Sequence, residues 1–272
     1  MPFYRFEQFE DIVSNPHLST GRGPIIEGDY MNLRLNNKDA GTGSKLHYHP
    51  NELMVFPLFG KIDSTVGTDH RIVDPGTFVH VAPNVMHSMK ATMDGTLSYL
   101  YVKDRTWSMV GVAADAAPPE EALSIDELKD KLARGENPAG AAASKPSEGI
   151  PDAPGDSYFP MVDSLDRDPP SAKRSFWVEG ERLAFGFLER PVGYQEAPAP
   201  SAHEQFVYVI AGDVTASIGS EKKKVGPGDI LHIPKDAETS LAVGDTPARL
   251  AVFEPTDNLE TLLEEAGALG NG

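Results

Sequence analysis

Residues 152 positions apart answer one another along this chain, and that internal repeat limits the fold more than any other feature. Gly60 stands over Gly212 (212 − 60 = 152), Pro75-Gly76 over Pro227-Gly228, and His80 over His232. Self-similarity at one fixed offset marks a duplicated unit, and 272 residues give each copy enough length for its own core. Inside each copy the signals are those of short strands. Met31, Leu33 and Leu35 alternate with Asn32 and Arg34, the period of a half-buried strand, and further β-rich runs cover 53–59, 61–66, 77–81 and 97–103. Gly, Pro and Asp punctuate these runs, which argues for an antiparallel barrel or sandwich.

Between the copies the composition shifts to Ala, Pro, Gly, Asp and Glu. Ser124 as a cap, Glu127 three residues on, and the stripe Ile125, Leu128, Leu132 predict one short helix ending near Gly135. The Ala/Pro/Gly-rich run 137–155 then reads as a linker. Residues 6–13 form a short helical or irregular start, and 257–269 an amphipathic segment with Leu259, Leu262, Leu263 and Ala266 on one face. The expected organisation is a barrel over 1–105, a linker over 106–155, and a second barrel over 156–272.

His47 and His49, one residue apart, project from the same side of a strand. His87 follows the turn at Pro75-Gly76 and the β-rich run after it, so three imidazoles from two hairpins can meet on one divalent ion; such a set suits Fe, Zn, Ni, Mn or Cu. The second copy lacks them: Ala199, Ser201 and Thr239 stand at the matching positions, and Gln205 matches Leu53. The second barrel is therefore expected to be metal-free. His80 recurs as His232 in that copy, so it reads as a packed or hydrogen-bonded strand histidine. Arg34, Asn32, Tyr48, Tyr99 and Tyr101 are polar neighbours able to orient a substrate, and Glu52, out of register with Leu53 by one, is a candidate carboxylate beside the ligands.

These motifs resemble the paired signatures of the cupin superfamily, G-x5-H-x-H-x3-E-x6-G and P-G-x5-P-x4-H. Gly41, His47, His49, Gly60, Pro75, Gly76 and His87 are in register with them, while Leu53 replaces the glutamate ligand and Ala82 the second proline. The resemblance implies an all-β chain of two tandem double-stranded β-helix (jelly-roll) barrels with a few short peripheral helices. It is similar in particular to the three-histidine branch, the gentisate-type and diketone-cleaving dioxygenases, of which the gentisate type is also a bicupin with an apolar residue in place of the glutamate. On that resemblance His47, His49 and His87 hold Fe(II), one ion per chain, a chelating substrate joins it, and O2 binds beside the chelate before C–C cleavage. The alternatives are a non-redox cupin isomerase or lyase, and a cupin that only binds a small molecule.

Losing the carboxylate ligand leaves an M(II) ion its full charge, so the expected substrate is an anionic chelator. With 41 acidic against 24 basic residues the net charge is −17, which speaks against nucleic acid and anionic membranes as partners. There is no cysteine, hence no disulfide and no thiolate ligand, in keeping with a cytoplasmic protein. Exposed sheet edges lead to the expectation of a homodimer.

Overall fold

The computed structural model describes residues 2–13, 15–107, 111–117, 134 and 148–265. In chain order the strands are β1 (Phe3–Arg5), β2 (Ile25–Glu27), β3 (Met31–Lys38), β4 (His47–Tyr48), β5 (Leu53–Phe59), β6 (Ile62–Val66), β7 (Asp69–Val73), β8 (Thr77–Val81), β9 (His87–Ala91), β10 (Leu97–Asp104), β11 (Val112–Ala113) and β12 (Tyr158–Pro160). They continue as β13 (Arg174–Glu179), β14 (Leu183–Arg190), β15 (Ala199–Pro200), β16 (Gln205–Ala211), β17 (Val214–Ile218), β18 (Glu221–Val225), β19 (Asp229–Ile233), β20 (Glu238–Val243) and β21 (Ala248–Pro255), and end in the helix α1 (Asp257–Glu265). The short helical start is a single 3-10 turn, Phe6–Gln8. The helix read at 124–135, apart from Arg134, and the end of the segment 257–269 lie outside the described residues.

Contacts divide the chain into two compact units, Met1–Phe9 with Ser164–Asp257, and Glu10–Asp163 with Asn258–Gly272. The grouping differs from a cut at the linker because of where two short strands find partners. β1 pairs antiparallel with β19, Phe3 opposite Leu231, while β12 pairs with β8, Phe159 opposite Phe78. Each supplies backbone partners to a strand edge that would otherwise be open.

The unit with the histidines is a sandwich of two antiparallel sheets, ordered β12-β8-β5-β10-β3-β2 and β11-β4-β9-β6-β7. Its core is built from β-branched residues that suit a pleated surface, among them Val55, Ile62, Val66, Val79 and Val81. Full burial of each such side chain contributes roughly 1.5–3 kcal/mol. The other unit repeats the plan with sheets β1-β19-β16-β21-β14-β13 and β15-β20-β17-β18. Its core holds Val207, Val209, Leu250 and Val252.

The two copies keep the offset of 152 until their last strand. Lys38 faces Leu97 across β3 and β10, and Arg190 faces Ala248 across β14 and β21. The offset is thus 190 − 38 = 152 on one strand and 248 − 97 = 151 on the other, because the turn before β21 is one residue shorter. Gly60 and Gly212 end equivalent strands with φ of +75° and +81°. A Cβ at either would lie about 2 Å from a carbonyl oxygen, of Thr96 or Pro247 respectively, so the repeated glycine is dictated by the turn.

β3 differs from a half-buried strand. Met31 and Leu33 are buried on one side, but Arg34, Asn36 and Lys38 are also buried on the other, no more than 5% exposed. The polar set faces inward, which places charge inside the first barrel. Among the described residues no helix is long and apolar enough to cross a membrane.

Candidate metal centre

β4 and β9 are register partners at His47 and His87, and His49 follows two residues after His47, so strand alternation turns all three rings to one side. Ring centroids lie 4.3 Å apart for His47 and His87, 4.7 Å for His49 and His87, and 5.8 Å for His47 and His49. One ligand atom from each falls within 4.8 Å of the others.

The hydrogen bonds fix which nitrogens these are. Nδ1 of His47 lies 2.8 Å from the Lys45 carbonyl oxygen, that of His49 3.1 Å from Asn51, and that of His87 2.8 Å from Val85. A carbonyl only accepts, so each Nδ1 carries the hydrogen and each Nε2 presents a lone pair. Nε2 of His49 and of His87 are buried with no hydrogen-bond partner among the described residues. Two orphaned acceptors beside a third imidazole fit a metal ion. Burial holds the His47 imidazolium down to about 4, and lowers His49 and His87 well below the ordinary histidine value. All three are thus neutral ligands at neutral pH.

The triad opens on a cavity of about 50 Å³ whose lining includes Arg34, Asn36, Lys38, Leu53, Tyr99 and Tyr101 with His47 and His87. Leu53, fully buried, occupies the place of a fourth ligand and brings no charge. Gly111 passes directly over His47, where a Cβ would come within 2.5 Å of the ring, so no side chain fits there.

A cupin domain is matched twice, over residues 38–103 and 187–254. The chain is a bicupin. No match was found among curated proteins. Among solved structures the bicupin is similar to oxalate decarboxylase from Bacillus subtilis, at 13% identity and a TM-score of 0.64 over 94% of this chain and 78% of that one. It is also similar to AerE from Microcystis aeruginosa, at 14% identity and a TM-score of 0.59 over 91% and 97% of the two chains. At these identities the likeness is one of fold.

The bicupin does not bring every candidate residue to the triad. Glu52 is buried against His80, Oε1 to Nε2 2.7 Å, and takes no part in the histidine cluster. Its register decides this, since it faces away from Leu53. The second copy repeats the pair as Glu204 and His232, also 2.7 Å apart. A pair present with and without histidine ligands belongs to the architecture. Glu52→Gln is therefore expected to leave metal content unchanged while costing about 1–3 kcal/mol in urea unfolding; loss of metal would return Glu52 to the centre. Tyr48 points the other way from His47, with its ring against Gly149. Arg34 does line the cavity, with its guanidinium donating to the carbonyls of Ile12 and Gly21.

Sequence reading missed Lys38 and Lys103. They are 3% and 2% exposed, and burial brings both ammonium groups down to about 7. Lys38 donates to the Met89 carbonyl and lies over the Tyr99 ring. Lys103 lies over the Tyr101 ring, beside Leu53 in the β5–β10 register. The same burial raises the Tyr99 and Tyr101 hydroxyls, which stay protonated as donors. The signal that could have found one of them is in the repeat. In the second barrel the position of Lys103 is Glu254 by strand register, a reversal of charge, whereas Lys38 has the cationic counterpart Arg190 and leaves no such signal.

Proposed function

We propose that the first barrel is a metal-dependent enzyme site that cleaves a C–C bond of a small chelating acid. The observation that carries this reading is the convergence of three imidazoles whose Nδ1 atoms are tied to backbone carbonyls, with the buried Nε2 atoms of His49 and His87 lacking a hydrogen-bond partner among the described residues. A divalent ion bound there supplies Lewis acidity and, if it is Fe(II), a place for O2 to react. The residues of the chain do the rest. Three neutral ligands and Leu53 leave the charge of the ion uncancelled, so an anionic chelator is favoured over a neutral one. The Tyr99 and Tyr101 hydroxyls and the Asn36 amide can orient its oxygens.

Fe(II) with O2, as in the three-histidine dioxygenases, is the first version of this chemistry. A second, non-redox lyase or isomerase, is favoured by one observation: a cavity of about 50 Å³ has room for only a few waters and suits a compact acid better than a substituted ring. The similar Bacillus subtilis fold is that of a decarboxylase studied for its Mn(II) centres. Protein purified anaerobically should hold one Fe or Mn per chain. The loaded protein should then turn over some member of a panel of 2-oxo acids, 2-hydroxy acids, dicarboxylates, β-diketones and catechols. Turnover that needs O2 selects the dioxygenase, and anaerobic turnover selects the lyase. No bound metal, or no turnover with either ion, would overturn the proposal.

A further inference from the structure

Asn15 holds a primary amide against the metal cavity with neither end of it bonded. It opens a turn in which the N–H groups of Leu18 and Ser19 donate to its backbone carbonyl at 3.1 and 2.9 Å. An asparagine in such a place ordinarily offers its side-chain oxygen to those N–H groups. Here the backbone has taken them, and Asn15 lines the cavity together with His47 and His87. It is 9% exposed, and both Oδ1 and Nδ2 are buried with no hydrogen-bond partner among the described residues. One of these atoms can only accept and the other only donate, so an acceptor and a donor are unmet whichever way the amide is turned.

A second amide in the same lining is bonded at one end. Asn36, 5% exposed, donates from Nδ2 to the Tyr99 hydroxyl at 2.5 Å, and its Oδ1 has no partner among the described residues. Gly21 gives that oxygen room, since a Cβ there would come within 2.5 Å of it. Burying polar atoms unpaired is costly, so the natural partner of these groups is what the cavity takes up. The second barrel is the control. Asn36 faces Tyr99 across β3 and β10, and the equivalent pair across β14 and β21 is Leu188 and Leu250, both packed in the apolar core. Where the histidines are lost, amide and hydroxyl give way to two leucines, so the polar pair belongs with the histidines.

We infer that Asn15, assisted by Asn36, binds a hydroxyl group of the substrate, which is therefore a small hydroxylated acid whose hydroxyl stands apart from the atoms that chelate the ion. This deepens the reading of the site as one for a chelating acid, and rests on it. Carboxylates and ketones only accept, and would leave both Oδ1 atoms unmet. A hydroxyl donates and accepts at once, which answers the two ends of the Asn15 amide with a single group. A hydroxyl bound to the ion turns a lone pair toward it, so the one that meets Asn15 in both directions lies off the ion. An ammonium group would donate as well, but the Arg34 guanidinium in the same lining opposes it.

The test is calorimetric titration of metal-free and Mn(II)-loaded protein with matched pairs that chelate through the same atoms and differ by one hydroxyl, glycerate against lactate and hydroxypyruvate against pyruvate. The hydroxylated member should bind the loaded protein at least about tenfold more tightly, the scale of one buried hydrogen bond made rather than left unmade. In Asn15→Leu that preference should shrink to about twofold or less, with the affinity for lactate and pyruvate and the metal per chain unchanged. The ligand-free variant should melt no earlier than the wild type, because the fold has lost no hydrogen bond. Asn36→Leu, the exchange that the second copy already carries, is the second variant should the first fail to fold, and it should narrow the preference in the same way. Equal affinity within both pairs overturns the inference and leaves the metal-site reading standing. So does a preference that survives in Asn15→Leu, the result expected if the amide holds only water. A variant that melts earlier or loses metal would assign Asn15 to the fold or to the ion, and overturn the inference as well. If no member binds the loaded protein more tightly than the metal-free form, the chelating-acid reading fails and the inference with it.

Discussion

His87→Ala should abolish stoichiometric metal binding, lowering affinity for Fe(II), Mn(II) or Zn(II) by about a thousandfold or more. Loss of a residue that merely orients a ligand typically costs 10- to 100-fold, and removing a ligand outright costs more. His87 is the central ring of the three, nearer to each of the other two than they are to one another. The wild-type protein at a metal concentration about 1,000 times its dissociation constant gains about 4 kcal/mol of stability. For a unit of this size that is a rise of roughly 8–16 °C in melting temperature, and the variant should show almost none of it. The readouts are metal per chain after desalting and the metal-dependent shift in melting. A variant that keeps the shift would mean that the ion sits elsewhere.

The backbone plan and the ligand set were legible in the sequence for different reasons. A glycine forced by a positive φ, as at Gly60 and Gly212, leaves the same letter in both copies whatever the side chains around it do. His47 and His49 were legible because strand alternation is local. Their meeting with His87 was legible through the cupin motif spacing, and the structure supplies its cause in the direct pairing of His47 with His87. The inner wall was not legible by periodicity. Arg34 and Asn36 alternate with Leu33 and Leu35, and Lys38 continues their face, just as solvent-facing residues do, and nothing in a single strand says which face meets water. Glu52 was ambiguous for a related reason, since one residue of slip decides between the metal and His80. The exchange of β1 and β12 between the halves depends on which strand edges lie open, a property of the assembled sheets.

Metal-free protein should lose stability as the pH falls from about 6.5 to 4, and gain it as the pH rises from about 7 toward 10. The first effect comes from the triad. In the folded chain His47 is held down to about 4, against the ordinary 6.5, and burial lowers His49 and His87 well below 6.5 as well. Between those values the unfolded chain binds protons that the folded chain refuses, so unfolding is favoured as acid is added. The stabilisation is complete above 6.5 and has gone once the folded imidazoles protonate. For His47 alone the span corresponds to about 3 kcal/mol, and the other two act in the same direction. The second effect has the same sign in a higher window. Lys38 and Lys103, brought from 10.5 to about 7 by burial, discard their protons in the folded state before the unfolded chain does. Urea titrations at pH 4, 5, 6, 7, 8.5 and 10 read both limbs, and His47→Gln and Lys103→Met should each flatten one of them. Bound metal should steepen the acid limb, because protons then compete with the ion for Nε2. A wild-type acid limb that His47→Gln leaves unaltered would show that its ring is solvated, and would count against a dry, neutral donor set at the centre.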